Sequence, residues 1–183
     1  MKILKVRAGR SSQAGFSLIE ILIALVIGAF GLLALSAFII KSTMLTGDAT
    51  QRARAGTLLN DMTHRLSSRK TLAADFVSEG AVYGESILDC DGAANAARDL
   101  CEWNNLLAGS NDGGGAAALG YRGCIEQPAG DPNAYIITIA WGSMAPGVPP
   151  HENVNCAQGE FGDDDSHRRI LRAQVRVASL SGS

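Results

Sequence analysis

The sequence predicts an α+β protein in which one long N-terminal helix packs on a small antiparallel sheet. Three patterns carry that expectation. An apolar run covers residues 16–40, and a stripe of Ala55, Leu58, Leu59, Met62 and Leu66 continues beyond it at three- and four-residue spacing. Two strand-like segments, 135–141 and 171–177, follow near the end of the chain. A chain of 183 residues has room for one domain plus an anchor, and too little for two catalytic domains.

The first element is a basic leader, residues 1–15, with Lys2, Lys5, Arg7 and Arg10 and no acid. The whole chain carries a net charge of -2, so everything after the leader is more acidic than the whole. An acidic body argues against a nucleic-acid footprint, and no direct nucleic-acid binding is expected.

Residues 16–40 come next, with Glu20 their sole ionisable side chain and Ser17 and Ser36 their other polar groups. A helix rises about 1.5 Å per residue, so roughly 20 apolar residues cross the hydrocarbon core, and this run is long enough. Basic residues before it predict a cytoplasmic N-terminus and an exported body, although Lys41 on the far side weakens the contrast. A cleaved secretory signal fits poorly, because its apolar core should run to about 7–15 residues and end in the cleavage site. Here the candidate cut lies before the core.

Residues 41–70 read as the amphipathic half of the same helix, since no proline interrupts the chain from Phe16 to Arg69. Residues 71–183 then form the expected exported head. Its first part, to Tyr121, is rich in Gly, Ala, Asn and Asp and reads as loops with one short helix over residues 98–107. The segment 135–141 is β-branched and aromatic. In the last strand Leu171, Ala173, Val175 and Val177 alternate with Arg172, Gln174 and Arg176, which predicts one solvated face. Between the strands, Pro146, Pro149 and Pro150 and then residues 159–165 describe a long acidic loop.

Gly15-Phe16-Ser17-Leu18-Ile19-Glu20 joins a small residue at a candidate cut to a lone acid in a membrane helix. A residue without a side chain lets a membrane-boundary protease approach the scissile carbonyl, and the basic leader holds the junction at the cytoplasmic face. Cutting between Gly15 and Phe16 would create an amine one helical turn from Glu20, of its own or a neighbouring subunit. An acid at the centre of a membrane helix costs about 2.5–3.5 kcal/mol. A place near the interface, at a helix N-terminus, would explain the charge alone. It would not explain the glycine, the basic leader and the apolar run together.

This stretch resembles the prepilin signature of type IV pilins and of the pseudopilins of type II secretion. The resemblance implies that a prepilin peptidase cuts after Gly15 and methylates the amine of Phe16, and that Glu20 aligns incoming subunits during assembly. Many major pilins carry a proline in the middle of the membrane helix, and this chain has none. The body resembles the PilV-type minor pilins (type IV pilus modification proteins). The stretches that carry this are Asp99-Leu100-Cys101-Glu102-Trp103, Arg122-Gly123-Cys124-Ile125, residues 135–142 with Trp141, and Phe161-Gly162-Asp163 leading to Arg168-Arg169. That likeness implies a type IV pilin fold and a structural part of the pilus, not an enzyme. It also implies a role in priming assembly, within a tip complex. Implied partners are the prepilin peptidase, other minor pilins, the assembly machinery and, at the tip, an adhesin. Implied locations are the inner membrane, crossed once with the head periplasmic, and then the pilus. The rivals are a minor pseudopilin of type II secretion, and an anchored binding or enzymatic domain that never assembles.

Cys90, Cys101, Cys124 and Cys156 all fall in the expected exported body, where an even count favours disulfides. Four cysteines permit three pairings, of which proximity favours Cys90 with Cys101 and Cys124 with Cys156. Zinc is the poorer reading, since no Cys-x-x-Cys knuckle is present. Glu160, Asp163, Asp164 and Asp165 could offer oxygens to calcium, as in some pseudopilin heads, but their spacing does not match an EF-hand and a solvated acidic loop is the expectation. His64, His151 and His167 are scattered without a nucleophile motif, so no catalytic residue is expected, and neither is a metal or cofactor. Gly113-Gly114-Gly115 lacks the lysine of a phosphate loop and reads as a loop tip. Trp103 and Trp141 are read as core anchors.

Overall fold

The computed structural model describes residues 15, 17–77, 80–109 and 120–178. Its elements run α1 (Leu18–Ser68), a 3-10 segment (Lys70–Phe76), α2 (Asn95–Ala108), β1 (Arg122–Glu126), β2 (Ala134–Gly142) and β3 (Arg168–Arg176). The chain divides into two compact units, residues 1–43 and 44–183. The architecture is α+β, and the long apolar N-terminal helix, small antiparallel sheet and two disulfides fit the type IV pilin fold.

In the first unit, the described part of α1 is exposed all round. Leu18, Ile19, Leu22, Leu25, Phe30, Leu33 and Phe38 all present apolar surface. Two of its hydroxyls are satisfied within the helix: Ser36 donates to the Leu32 carbonyl at 2.9 Å and Thr43 to the Ile39 carbonyl at 2.9 Å. This internal satisfaction is what a segment surrounded by hydrocarbon requires.

In the second unit, the rest of α1 buries Ala55, Leu58, Leu59, Met62 and Leu66, in the positions the periodicity predicts, and also Gln51, which the stripe did not include. The sheet has the order β1-β2-β3 and is antiparallel throughout. Strand β2 reads as a nearly continuous apolar run because both of its faces are covered. Tyr135, Ile137, Ile139 and Trp141 pack in the main core with Leu58, Met62, Leu100, Trp103 and Leu107. Ala140, on the other side, packs with Cys124, Cys156 and Ala157 in a smaller cluster. Strand β3 has the solvated face that its alternation predicts, with Arg172, Gln174 and Arg176 exposed and Val175 buried.

Two tryptophans anchor the core. Trp103 is fully buried and its indole N–H donates to the Leu58 carbonyl at 3.0 Å, so its polar edge is satisfied on α1. Its ring lies on Gly123, where an added Cβ would fall 2.2 Å from the indole Cη2. Trp141 is buried beside Tyr121, whose hydroxyl donates to the Gln51 carbonyl at 3.1 Å.

The structure corrects three expectations. Helix α2 begins at Asn95 instead of Arg98, because Ala96 carries the buried face of Leu100 and Trp103 backwards although the helix has no side-chain N-cap. Residues 70–76 form a 3-10 segment and not a loop, since burial of Ala73 and Phe76 outweighs a weak local signal. Strand β1 was not expected as a strand. Five residues that include Arg122, Gly123 and Glu126 carry little strand propensity, and register with β2 places them, Cys124 opposite Thr138 and Ile125 opposite Ile137.

Candidate functional site

The sequence-predicted site residues fall into two separate groups, one at the start of α1 and one in the head. Gly15 is exposed, with nothing within 4 Å of where a Cβ would be. Phe16 lies outside the described residues. The Ser17 carbonyl accepts from the Glu20 N–H at 3.0 Å and the Ile21 N–H at 3.3 Å, which closes the first turn of α1. Glu20 is exposed in that turn, where open backbone N–H groups and the helix dipole favour a carboxylate. Ser17-Leu18-Ile19-Glu20 also has the spacing of a capping box, a local reason for an acid at this position that sequence reading overlooked.

Helix α1 contains a window of mean hydropathy 2.7, none of it buried. By length and composition it can cross a membrane. An acid at its start therefore stands at the edge of an apolar cylinder, and not in a protein core.

In the head, the structure joins Cys90 to Cys101 and Cys124 to Cys156, with S–S distances of 2.01 and 2.03 Å. The first bridge ties the segment before α2 onto that helix. Asn104 and Asn105 reinforce it: the Asn104 side chain accepts from the Gly84 N–H at 2.7 Å and donates to Ser86 O at 2.7 Å, and Asn105 pairs with both the N–H and the carbonyl of Leu88. These asparagines were not singled out from sequence, because their role needs a loop that spacing alone does not place. The second bridge ties β1 to the loop between β2 and β3.

The same loop is organised by Arg168, which is 1% exposed. Its guanidinium donates to the carbonyls of Val154 at 2.8 Å and Cys156 at 2.9 Å, and pairs with Asp165 at 2.9 Å. Glu160 pairs with Arg122 at 2.6 Å. The acidic loop is therefore partly an ion-paired element: Asp163 and Asp164 are exposed, while Glu160 and Asp165 have structural partners. Hydrogen bonding from Ser166, through its backbone and its side chain, holds the Asp164 carboxyl below its usual range. Among the described residues no group of three His, Cys, Asp or Glu side chains is placed to hold a metal ion. His64 is exposed on α1, His151 is exposed in the loop, and His167 meets the Ser143 carbonyl at 2.8 Å.

Helix α2 is locked to α1 by charge. Arg65 pairs with Asp61 and Glu102 at 2.8 Å each and with Asp99 at 3.3 Å, and Arg69 also pairs with Asp99. The Arg65 hydrogen bond, followed by that from Arg98, holds the Glu102 carboxyl below the usual carboxylate range.

Against known proteins, residues 10–36 match the family model of the prokaryotic N-terminal methylation motif. No curated protein and no solved structure matches the chain. The motif implies processing by a prepilin peptidase and handling by pilus or pseudopilus assembly machinery. With an apolar helix able to anchor in a membrane, it supports membrane anchoring before assembly. The methylation motif, joined to the α+β head, supports a type IV pilin-like or pseudopilin role for this chain.

Proposed function

We propose that the chain is a minor pilin of the PilV type. It is cut between Gly15 and Phe16 and methylated on the Phe16 amine, and it then primes pilus assembly in a tip complex with other minor pilins. The observation that carries this reading is the coincidence of the methylation motif with an accessible Gly15 and an acid in the first turn of a bare apolar helix. Residues 1–15 are the leader, 16–40 the transmembrane and assembly half of the helix, 41–70 its amphipathic half and 71–183 the head. Before assembly the N-terminus is cytoplasmic and the head periplasmic, where Cys90–Cys101 and Cys124–Cys156 can form and persist.

Physically, the apolar surface of α1 leaves lipid only for the helices of other subunits. Glu20 offsets the charge of the Phe16 amine, of its own chain or of a neighbour, and so fixes the depth at which a subunit docks. The PilV assignment draws support from Cys101, Trp103, Gly123, Cys124 and Trp141: the family-like stretches coincide with the disulfides and the tryptophan packing of the head. Complementing a piliation-deficient deletion with the Glu20→Ala chain tests the proposal. Loss of incorporation with cleavage largely intact is expected, and normal piliation would sink it.

A further inference from the structure

The loop between β2 and β3 displays an apolar tip that the core does not use. Residues 144–150 read Met-Ala-Pro-Gly-Val-Pro-Pro, with no charged or hydrogen-bonding side chain. Met144 is 79% exposed and Val148 91%.

This tip is pinned in place. The Ser143 N–H donates to His167 O at 2.8 Å and the Gly147 N–H to Ser166 O at 2.9 Å. The Ala145 carbonyl accepts from Arg169 at 2.8 Å and from the Ser143 hydroxyl at 3.1 Å. Gly147 permits the approach, since a Cβ there would lie 2.5 Å from Arg169 Nη2. A backbone fixed by four bonds thus holds a methionine and a valine out in water, which is unfavourable unless something covers them.

The root of the loop lies against the head's first helical turns, because the Ser143 hydroxyl, whose one proton is shared with the Ala145 carbonyl, lies 3.2 Å from Asp48 Oδ1. A recess beside it is lined by Asp48, Arg52, Trp141 and Arg169. Chain connectivity then limits its distance from lipid. Asp48 follows Ile40, the last residue of the apolar run, by about eight residues, which span about 27 Å even fully extended. Lys41 lies on this tether and Arg52 four residues beyond Asp48; both are exposed and suit lipid phosphates.

We propose that residues 144–150 are a membrane-interface contact, in which Met144 and Val148 enter the headgroup region of the phospholipid bilayer that holds the apolar helix. The inference rests on residues 16–40 spanning that bilayer. The tether favours lipid over a second copy of the chain: it keeps the loop within reach of a bilayer from insertion onward, whereas a partner copy must first be met. Burying the tip would steady the head on the membrane until the subunit is extracted.

The test uses the full chain in nanodiscs of phosphatidylethanolamine and phosphatidylglycerol doped with nitroxide-labelled lipid. An environment-sensitive fluorophore is attached in turn through Val148→Cys, Asn60→Cys on exposed α1 surface and Ala29→Cys in the apolar run. The expected result is several-fold stronger lipid quenching at 148 than at 60, reduced by adding Met144→Asp. Quenching at 29 with 148 no better quenched than 60 overturns the proposal alone. No quenching at 29 overturns the membrane-spanning reading and the proposal with it. A probe at 148 that is shielded from water yet not quenched by lipid identifies a protein contact, which also overturns it.

Discussion

Glu20 sits in the first turn of α1, where unpaired backbone N–H groups already favour an acid, and it is surrounded by exposed leucine and isoleucine. The helix N-terminus makes its charge tolerable at a membrane edge although its neighbours are apolar, and neither feature supplies a partner for assembly. Replacing it with alanine should therefore leave the α1 fold and leader removal largely unchanged while impairing incorporation, as judged by immunoblotting sheared filaments against the membrane fraction. Gly123 is a different kind of constraint, because the Trp103 ring occupies the space of its missing Cβ. Gly123→Ala should destabilise the head by about 1–3 kcal/mol through overpacking, read as a lowered midpoint in denaturant unfolding. The glycine was legible in the sequence as part of a family-like stretch, but not as a packing site, since the indole that fills its space comes from α2.

Among elements, α2 depends on a disulfide at its middle, through Cys101, and an ion-pair cluster on its face. Glu102 has its folded-state pKa depressed by Arg65 and Arg98, so its contribution is present above the ordinary value of 4.5 and is lost as pH falls through the lower folded value. Amide exchange in α2 should accelerate more than in β2 when pH falls from neutral to below 4.5, after correction for intrinsic rates, and Glu102→Gln should shrink the difference. The two bridges close spans of 11 and 32 residues. On loop entropy, removing Cys124–Cys156 by paired alanine substitution should cost about 1 kcal/mol more than removing Cys90–Cys101, each within about 2–4 kcal/mol. Thermal unfolding of the two paired variants measures that difference. Elements with strong periodicity were legible in the sequence: α1 by its stripe, β2 by its apolar run and β3 by its alternation. Strand β1 and the 3-10 segment were not, because register with β2 and burial of Phe76 create them, and local propensity does not.

At the scale of the whole molecule, the chain combines an apolar cylinder that needs lipid or other helices with a head that completes its own core. In the proposed function the two parts serve different stages: the helix anchors the precursor and later packs in a filament, while the disulfide-bonded head is available to neighbouring subunits. The methylation motif at residues 10–36 was legible because its chemistry is local: basic residues, a glycine, an acid and an apolar run occur within a few dozen residues. The head was legible mainly as a fold, since the placement of its loops depends on Arg168, Asn104 and Asn105, whose partners lie far from them in sequence. N-terminal mass spectrometry of the membrane-extracted protein, from cells with active prepilin peptidase, bears most directly on the proposed function. A chain that begins at a methylated Phe16 is the predicted result, and an intact leader would contradict it.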